Sequence, residues 1–137
     1  LRGVASRARG LQDRIRERSA EVEALRERQR AEERRCDTAL ARHQDLVDEA
    51  FSGPATKPLV MDLVARELDP DDPIAAHRLR WMAADLAGIN AALLTARAEL
   101  SVLRAQRRAT ARHGRLQLTR LERWWRASGL SEAPFER

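Results

Sequence analysis

The sequence is poor in the residues that build a compact globular core. Only 4% of its 137 residues are aromatic, tyrosine is absent and 34% are charged. Arginine, alanine, leucine and glutamate dominate, while glycine and proline are scarce. This composition is typical of long helices rather than of a mixed sheet fold. We therefore predict an all-α chain.

Cysteine and long apolar runs are also scarce. The single cysteine, Cys36, excludes an internal disulfide and has no companion ligand at metal-binding spacing. No apolar run approaches the ~20 residues that cross a bilayer, and the first residues do not form a secretory signal. We expect a cytoplasmic chain without a membrane span. Because it begins at leucine, we also expect it to be a fragment of a longer protein.

Sequence motifs of catalysis are absent as well. The three histidines, His43, His77 and His113, lie too far apart in the sequence to form a helical pair. There is no glycine-rich phosphate loop, nucleophile elbow or His-Glu-x-x-His motif. The aspartates within residues 69–72 lack the spacing of a calcium loop and are interpreted as capping and turn residues. We predict no enzymatic activity and no catalytic, cofactor-binding or metal-binding residue.

An apolar residue recurs every three or four positions over two long stretches. The first apolar seam passes through Ile15, Val22 and Leu25, and the second runs from Met82 to Trp124. Heptad spacing of this kind predicts two coiled-coil helices. After Leu103 the second seam loses most of its large apolar residues, so we expect weaker helix pairing there.

Proline and glycine mark where these helices end and begin. Four of the five prolines lie within residues 54–73. Gly53 before Pro54 stops the first helix, and Asp72 before Pro73 starts the second. The predicted segments are a helix over 3–52, a turn with a short helix over 53–72, a helix over 73–127 and a frayed tail over 128–137.

Two helices of nearly equal length, joined by a proline-rich turn, favour a single antiparallel coiled-coil hairpin domain over residues 1–137. Facing residues would then have numbers that add up to about 125, with Leu25 beside Leu100. This register brings Arg18 next to Arg107, so those side chains would have to splay apart. The alternative, two chains paired as parallel helices, leaves the prolines unexplained.

A short amphipathic helix is predicted inside the turn, with Pro58 at its start. Leu59, Leu63 and Val64 are expected on one side of it. Two interpretations stay open: the helix packs on the hairpin and closes its end, or it presents these apolar side chains to a partner.

Basic and acidic residues are unevenly distributed along the chain. Residues 1–35 carry 11 Arg against 7 acidic residues, and residues 104–137 carry 9 Arg against 3. Residues 36–103 carry 6 basic residues against 11 acidic ones. A hairpin would place the two basic segments side by side and create one strongly basic end. This end either binds an acidic partner or is a solvated charged face.

The segment Arg123-Trp-Trp-Arg126 is the sharpest local feature of the basic end. Trp124 falls on the seam, and Trp125 points about 100° away from it. Tryptophan flanked by arginine is typical of interface hot spots. Trp125 is therefore a candidate partner-binding residue, and the alternative is that both rings pack over the final turn.

A short chain rich in arginine, alanine, leucine and glutamate, folded as one hairpin with its basic termini together, resembles the FliJ and YscO group of type III secretion proteins. The resemblance is architectural and covers nearly the whole chain. It implies a bacterial, non-enzymatic stalk in the cytoplasm, peripheral at the inner membrane through the secretion apparatus. It also implies that the basic end enters a hexameric export ATPase, and that the rod reaches the export gate and secretion chaperones.

The resemblance also implies which residues contact partners. At the basic end these are Arg7, Arg9, Arg14, Arg16, Arg112, Arg115, Arg120 and Arg123. At the turn end Leu59, Leu63 and Val64 would face the export gate. The proline-bounded helix departs from the family pattern, because a plain hairpin needs no such element.

Two other functions stay open. A pI near 11.0 and paired arginine segments would attract phosphate, which is typical of a rod that associates with nucleic acid. Against this, acidic residues alternate with the arginines of the first helix, and no aromatic platform accompanies them. The third possibility is a generic coiled-coil scaffold.

Overall fold

The computed structural model describes residues 2–50 and 55–129. Helix accounts for 92% of the described residues, which include no strand. The helices are α1 (Arg2–Ala41), α2 (Gln44–Ala50), α3 (Lys57–Leu68) and α4 (Pro73–Ala127). The long α4 packs against the N-terminal α1. The prediction of an all-α chain is therefore confirmed.

The uninterrupted first helix predicted over residues 3–52 is wrong, because a turn at Arg42-His43 separates α1 from α2. The His43 N–H donates to the Leu40 carbonyl at 2.9 Å, so the backbone stays hydrogen-bonded through the break. Leu46 and Val47 of α2 then pack against the buried core. No glycine or proline marks this break. The predicted stop at Ser52-Gly-Pro lies outside the described residues.

Helices α3 and α4 begin at the predicted proline signals. Thr56 precedes α3 with extended backbone (φ −70°, ψ 151°), and Pro58 occupies its first turn. Proline is well placed there because the first N–H groups of a helix lack intrahelical acceptors. At the start of α4, the Ala75 N–H donates to the Asp72 carboxylate at 3.2 Å. Past its end, Gly129 adopts φ 72°, the left-handed conformation that favours glycine.

The chain divides into two compact units. The terminal unit comprises Leu1–Ser19 with Ala98–Arg137, and the central unit comprises Ala20–Arg97.

The core of the central unit lies where α1, α3 and α4 meet. Met61 and Val64 of α3 are fully buried, together with Cys36 of α1 and Leu86 of α4. Of the two interpretations of the turn helix, this burial is what packing against the long helices predicts. The buried set extends along α1 and α4 through Val22, Leu25, Ile89, Leu93 and Ala96.

The register of α1 against α4 differs from the predicted one. In the central unit, the Gln29 side-chain amide donates to Asn90 Oδ1 at 2.7 Å. In the terminal unit, Arg18 Nη2 lies 2.8 Å from Glu99 Oε2. These residue numbers add up to 119 and 117 instead of about 125. The predicted pairing is therefore wrong by roughly two helical turns.

Charge gives a physical reason for this difference within the terminal unit. The predicted register would oppose Arg18 and Arg107, whereas the observed one pairs Arg18 with Glu99. Arg107 donates instead to the Gln12 side-chain oxygen at 3.4 Å. Both members of the ion pair are about two-fifths exposed, so solvent screens their attraction. The ion pair therefore adds little stability, but the observed register avoids placing Arg18 against Arg107.

The apolar composition of part of α4 bears on the predicted absence of a membrane span. By length and composition alone, α4 contains an 18-residue window apolar enough to cross a membrane, with a mean hydropathy of 1.3. A buried core helix meets the same criterion, and 33% of this window is buried in the structure.

We predict that the charge reversal Arg18→Glu lowers the free energy of unfolding by about 0.5–1 kcal/mol, because it places two carboxylates side by side. A second reversal, Glu99→Arg, should restore most of this loss. Urea unfolding of the two single variants and the double variant gives the coupling energy. If Glu99→Arg fails to rescue and Arg107→Glu interacts with the first substitution instead, the observed register is wrong.

Leu93 and Leu94 are neighbours in α4 but differ in burial, so substituting each of them tests which face of α4 lies in the core. Leu93 is 2% exposed and Leu94 is 72% exposed. We predict that Leu93→Ala lowers the free energy of unfolding by about 2–5 kcal/mol, because it leaves a cavity. The matched change Leu94→Ala should alter it by less than about 0.5 kcal/mol. Equal shifts of the two urea midpoints would contradict this assignment.

Candidate functional site

The predicted partner-binding arginines all lie in the terminal unit. We call them the basic surface: Arg7, Arg9, Arg14 and Arg16 of α1, and Arg112, Arg115, Arg120 and Arg123 of α4. All eight are exposed. None of the eight forms an ion pair within residues 2–50 and 55–129.

Composition explains why this surface is not neutralised internally. The described part of the terminal unit, residues 2–19 and 98–129, holds 14 arginines and only 4 acidic residues. In the central unit, by contrast, several basic side chains have an acidic partner. Examples are Arg26 with Glu23 at 3.1 Å and Lys57 with Asp37 at 2.6 Å. The terminal unit therefore presents positive charge that an external partner can compensate.

Two exposed apolar side chains lie among the arginines of α4. Leu116 is 60% exposed and Trp124 is 62% exposed. They alternate with Arg112 and Arg120 at intervals of four residues, so the four side chains form one row along the helix. Tryptophan and arginine are enriched at binding hot spots, and Leu116 adds exposed apolar area to the same row.

Sequence reasoning missed Leu116, although a signal for it existed. The second seam passes through Gly114 and Gln117, and Leu116 falls between these positions. A leucine off the seam of a paired helix points toward solvent. Its exposure could therefore have been read from the heptad pattern.

The two adjacent tryptophans are oriented opposite to the prediction. Trp124 was placed on the seam but is exposed, whereas Trp125 is half-buried. Beyond Leu103 the seam contains Thr110, Gly114 and Gln117 in place of large apolar residues. Such positions provide few apolar side chains to hold a 3.5-residue supercoil, and a helix that is not supercoiled has a period of 3.6 residues. Over three heptads this difference of about 20° per heptad adds up to about 60°, which turns the inward face from residue 124 toward residue 125.

The turn-end residues are distributed differently from the prediction. Leu59 is half-exposed, Leu63 is half-buried and Val64 is fully buried. Val64 contributes to the core with Val60 and Met61, so its predicted exposure to a partner is wrong. The wide apolar stripe through residues 60, 61, 64 and 65 is visible in the sequence and marks the correct face.

The described residues show no arrangement for metal binding. Within residues 2–50 and 55–129, no group of three or more His, Cys, Asp or Glu side chains could hold a metal ion. His113 shares a hydrogen bond of 3.0 Å with Gln117 on the exposed side of α4. Neither its partner nor its exposure suggests proton transfer.

Cys36 is a packing residue of the central core. Its side chain is 0% exposed, and burial raises the pKa of the thiol from 9.0 to about 11, with a smaller contribution from the nearby Glu32 carboxylate. The thiol is therefore protonated at neutral pH and is a poor nucleophile.

Comparisons with known proteins identify no relative. No protein-family model matches the chain, and no curated protein or solved structure matches it significantly. The resemblance to the FliJ and YscO group therefore stays a prediction.

We predict that this protein loses stability as pH rises from about 9 to about 11. The unfolded thiol ionises near pH 9, whereas the folded thiol resists ionisation until about pH 11. The stabilisation is thus fully present below pH 9 and falls by about 1–3 kcal/mol across this interval. The chain has no tyrosine and only one lysine, so few other groups titrate there.

The measurement is urea unfolding at several pH values, for the native sequence and for Cys36→Ala. At pH 7 the variant should be less stable than the native sequence, because the substitution leaves a cavity. Between about pH 9 and 11 its stability should not show the fall that we attribute to the thiol. Identical pH profiles for the two proteins would refute the assignment.

Proposed function

We propose that this chain is a non-enzymatic, protein-binding stalk of a bacterial type III secretion system. Its basic surface docks into the export ATPase ring, and the rest of the chain connects this end to the export gate and to secretion chaperones. The chain acts in the cytoplasm, attached to the inner membrane only through the secretion apparatus. The ATPase and the other named partners come from the resemblance to the FliJ and YscO group.

The observation that carries this proposal is the uncompensated charge of the basic surface. Eight exposed arginines come from two helices and make no ion pair within the described part of the chain. Guanidinium groups bind carboxylates through paired hydrogen bonds, so an acidic protein surface is a suitable partner. Leu116 and Trp124 add apolar area that such a partner can bury.

The proposed architecture is an antiparallel two-helix hairpin with α3 at its turn. Contacts within each unit support it separately. In the terminal unit, Gln12 contacts Arg107 and Arg18 contacts Glu99, so residue numbers fall on α4 as they rise on α1. This direction brings the two halves of the basic surface together on one unit.

Nucleic acid is the second candidate partner, because phosphate also pairs with free guanidinium groups. The exposed leucine in the middle of the arginine row favours a protein instead. A phosphate backbone offers no apolar group for Leu116 to contact, whereas a protein helix does.

The test is stimulation of ATP hydrolysis by a type III export ATPase from the same organism. We predict that the triple variant Arg112→Glu, Arg120→Glu, Arg123→Glu weakens binding and stimulation at least about tenfold, because it reverses both charges of the row and a third charge beside it. Stimulation by the native protein should also fall with added salt.

The matched control reverses three exposed arginines of the central unit: Arg28, Arg66 and Arg97. These make no ion pair within residues 2–50 and 55–129, and the net charge changes equally. This control should stimulate the ATPase as the native protein does. Equal loss in both variants would show that net charge alone acts. Binding of duplex DNA without any effect on the ATPase would favour nucleic acid.

A further inference from the structure

A second group of arginines lies in the central unit, although that unit is acidic overall. Residues 20–97 carry 11 basic and 15 acidic residues. Arg34, Arg35, Arg42 and Arg78 nevertheless line one open cleft of about 510 Å³. We call it the arginine cleft. Three of these residues come from α1 and the turn that follows it, and Arg78 comes from α4.

Most of these guanidinium groups have no acidic partner. Arg34, Arg42 and Arg78 form no ion pair within residues 2–50 and 55–129. Arg35 lies 3.6 Å from Glu32, and 75% of its side chain is exposed. Elsewhere in the same unit, Arg26, Arg30 and Arg80 are each paired within 3.4 Å. The charges of Arg34, Arg42 and Arg78 thus remain available to a ligand, whereas Arg35 is shared with Glu32.

The floor of the arginine cleft is apolar. Ala31, Ala39 and Met82 line it and are half-buried. Thr38 adds a hydroxyl group, which donates to the Arg34 carbonyl at 2.9 Å. A ligand that matches this cleft must therefore combine negative charge with an apolar group.

The shape and surroundings of the cleft restrict the class of ligand. It is open, and a small molecule would stay largely exposed in it, unlike in typical ligand pockets. An adjoining cleft is lined by Arg28 and Arg35 together with Glu32 and Asp85, so it adds no net positive charge along which a long polyanion such as nucleic acid could extend. The positive charge is therefore confined to a short patch, on the order of 10 Å along the helix.

We propose that the arginine cleft binds a short acidic segment of a partner protein. Two or more carboxylates of that segment pair with Arg42, Arg78 and the Arg34–Arg35 pair, and an apolar side chain covers Met82. Arginine suits this role because its planar guanidinium group donates two parallel hydrogen bonds to one carboxylate. The site is separate from the basic surface and does not depend on the proposed secretion function.

The test uses a short fluorescein-labelled peptide of repeated Glu-Glu-Leu-Glu, with fluorescence anisotropy at physiological ionic strength. The full chain carries Arg112→Glu, Arg120→Glu and Arg123→Glu, so that the basic surface does not compete for the probe. We expect Arg42→Glu with Arg78→Glu to weaken binding at least about tenfold. The neutral pair Arg42→Gln with Arg78→Gln should weaken it less, by about threefold or more.

The matched control is Arg66→Glu with Arg97→Glu, two exposed arginines of the same unit outside the cleft. It should change the affinity less than about twofold, since screening weakens distant charges. A peptide with serine in place of leucine should bind several-fold more weakly because it leaves the apolar floor uncovered. Circular dichroism of each variant checks that the helices are retained.

Three results would overturn the proposal. The first is equal loss of affinity in the cleft variant and the control, which would show non-specific attraction. The second is tighter binding of a short DNA duplex than of the peptide, with the same dependence on Arg42 and Arg78. The third is no measurable binding of the peptide by the full chain. None of these results bears on ATPase stimulation through the basic surface, so the two proposals fail independently.

Discussion

Burial of the apolar seam of α4 is the interaction on which the central unit depends. With few aromatic residues, the chain has only leucine, isoleucine, valine, methionine and alanine to exclude water. Leu86 and Leu93 are almost completely buried, and α3 adds Met61 and Val64 to the same core. Each such side chain contributes about 1.5–3 kcal/mol on leaving water. After the break between α1 and α2, Leu46 and Val47 of α2 pack against the same core.

Charge has a different role in the two units. In the central unit most acidic and basic side chains are interleaved along the helices, and several pair locally. In the terminal unit arginines greatly outnumber acidic residues, so their charge is directed outward. The arginine cleft is a local exception within the central unit, formed where α1 ends and α4 approaches it. Both basic sites combine free guanidinium groups with apolar side chains, an arrangement that suits acidic protein segments better than a uniform polyanion.

Sequence reasoning succeeded where the signal is local. Pro58 and the Asp72-Pro73 pair mark helix starts through backbone groups within one turn, and the structure begins α3 and α4 there. The exposure of the eight arginines was also predictable, because charged side chains off an apolar seam are solvated. The break at Arg42-His43 was not predictable, since no glycine or proline produces it. Val64 was grouped with Leu59 and Leu63, whereas the buried stripe joins it to Val60 and Met61, which the prediction left out.

By itself, the sequence determined the helical class, the starts of α3 and α4, and an excess of arginine near both termini. The tertiary structure alone decided the register of α1 against α4, the burial of α3, and which tryptophan faces outward. The reason is the range of the interactions. Caps act within one helical turn, whereas heptad seams repeat every seven residues and allow several registers of similar energy. Contacts between residues distant in sequence, such as Arg18 with Glu99 and Gln29 with Asn90, select among those registers.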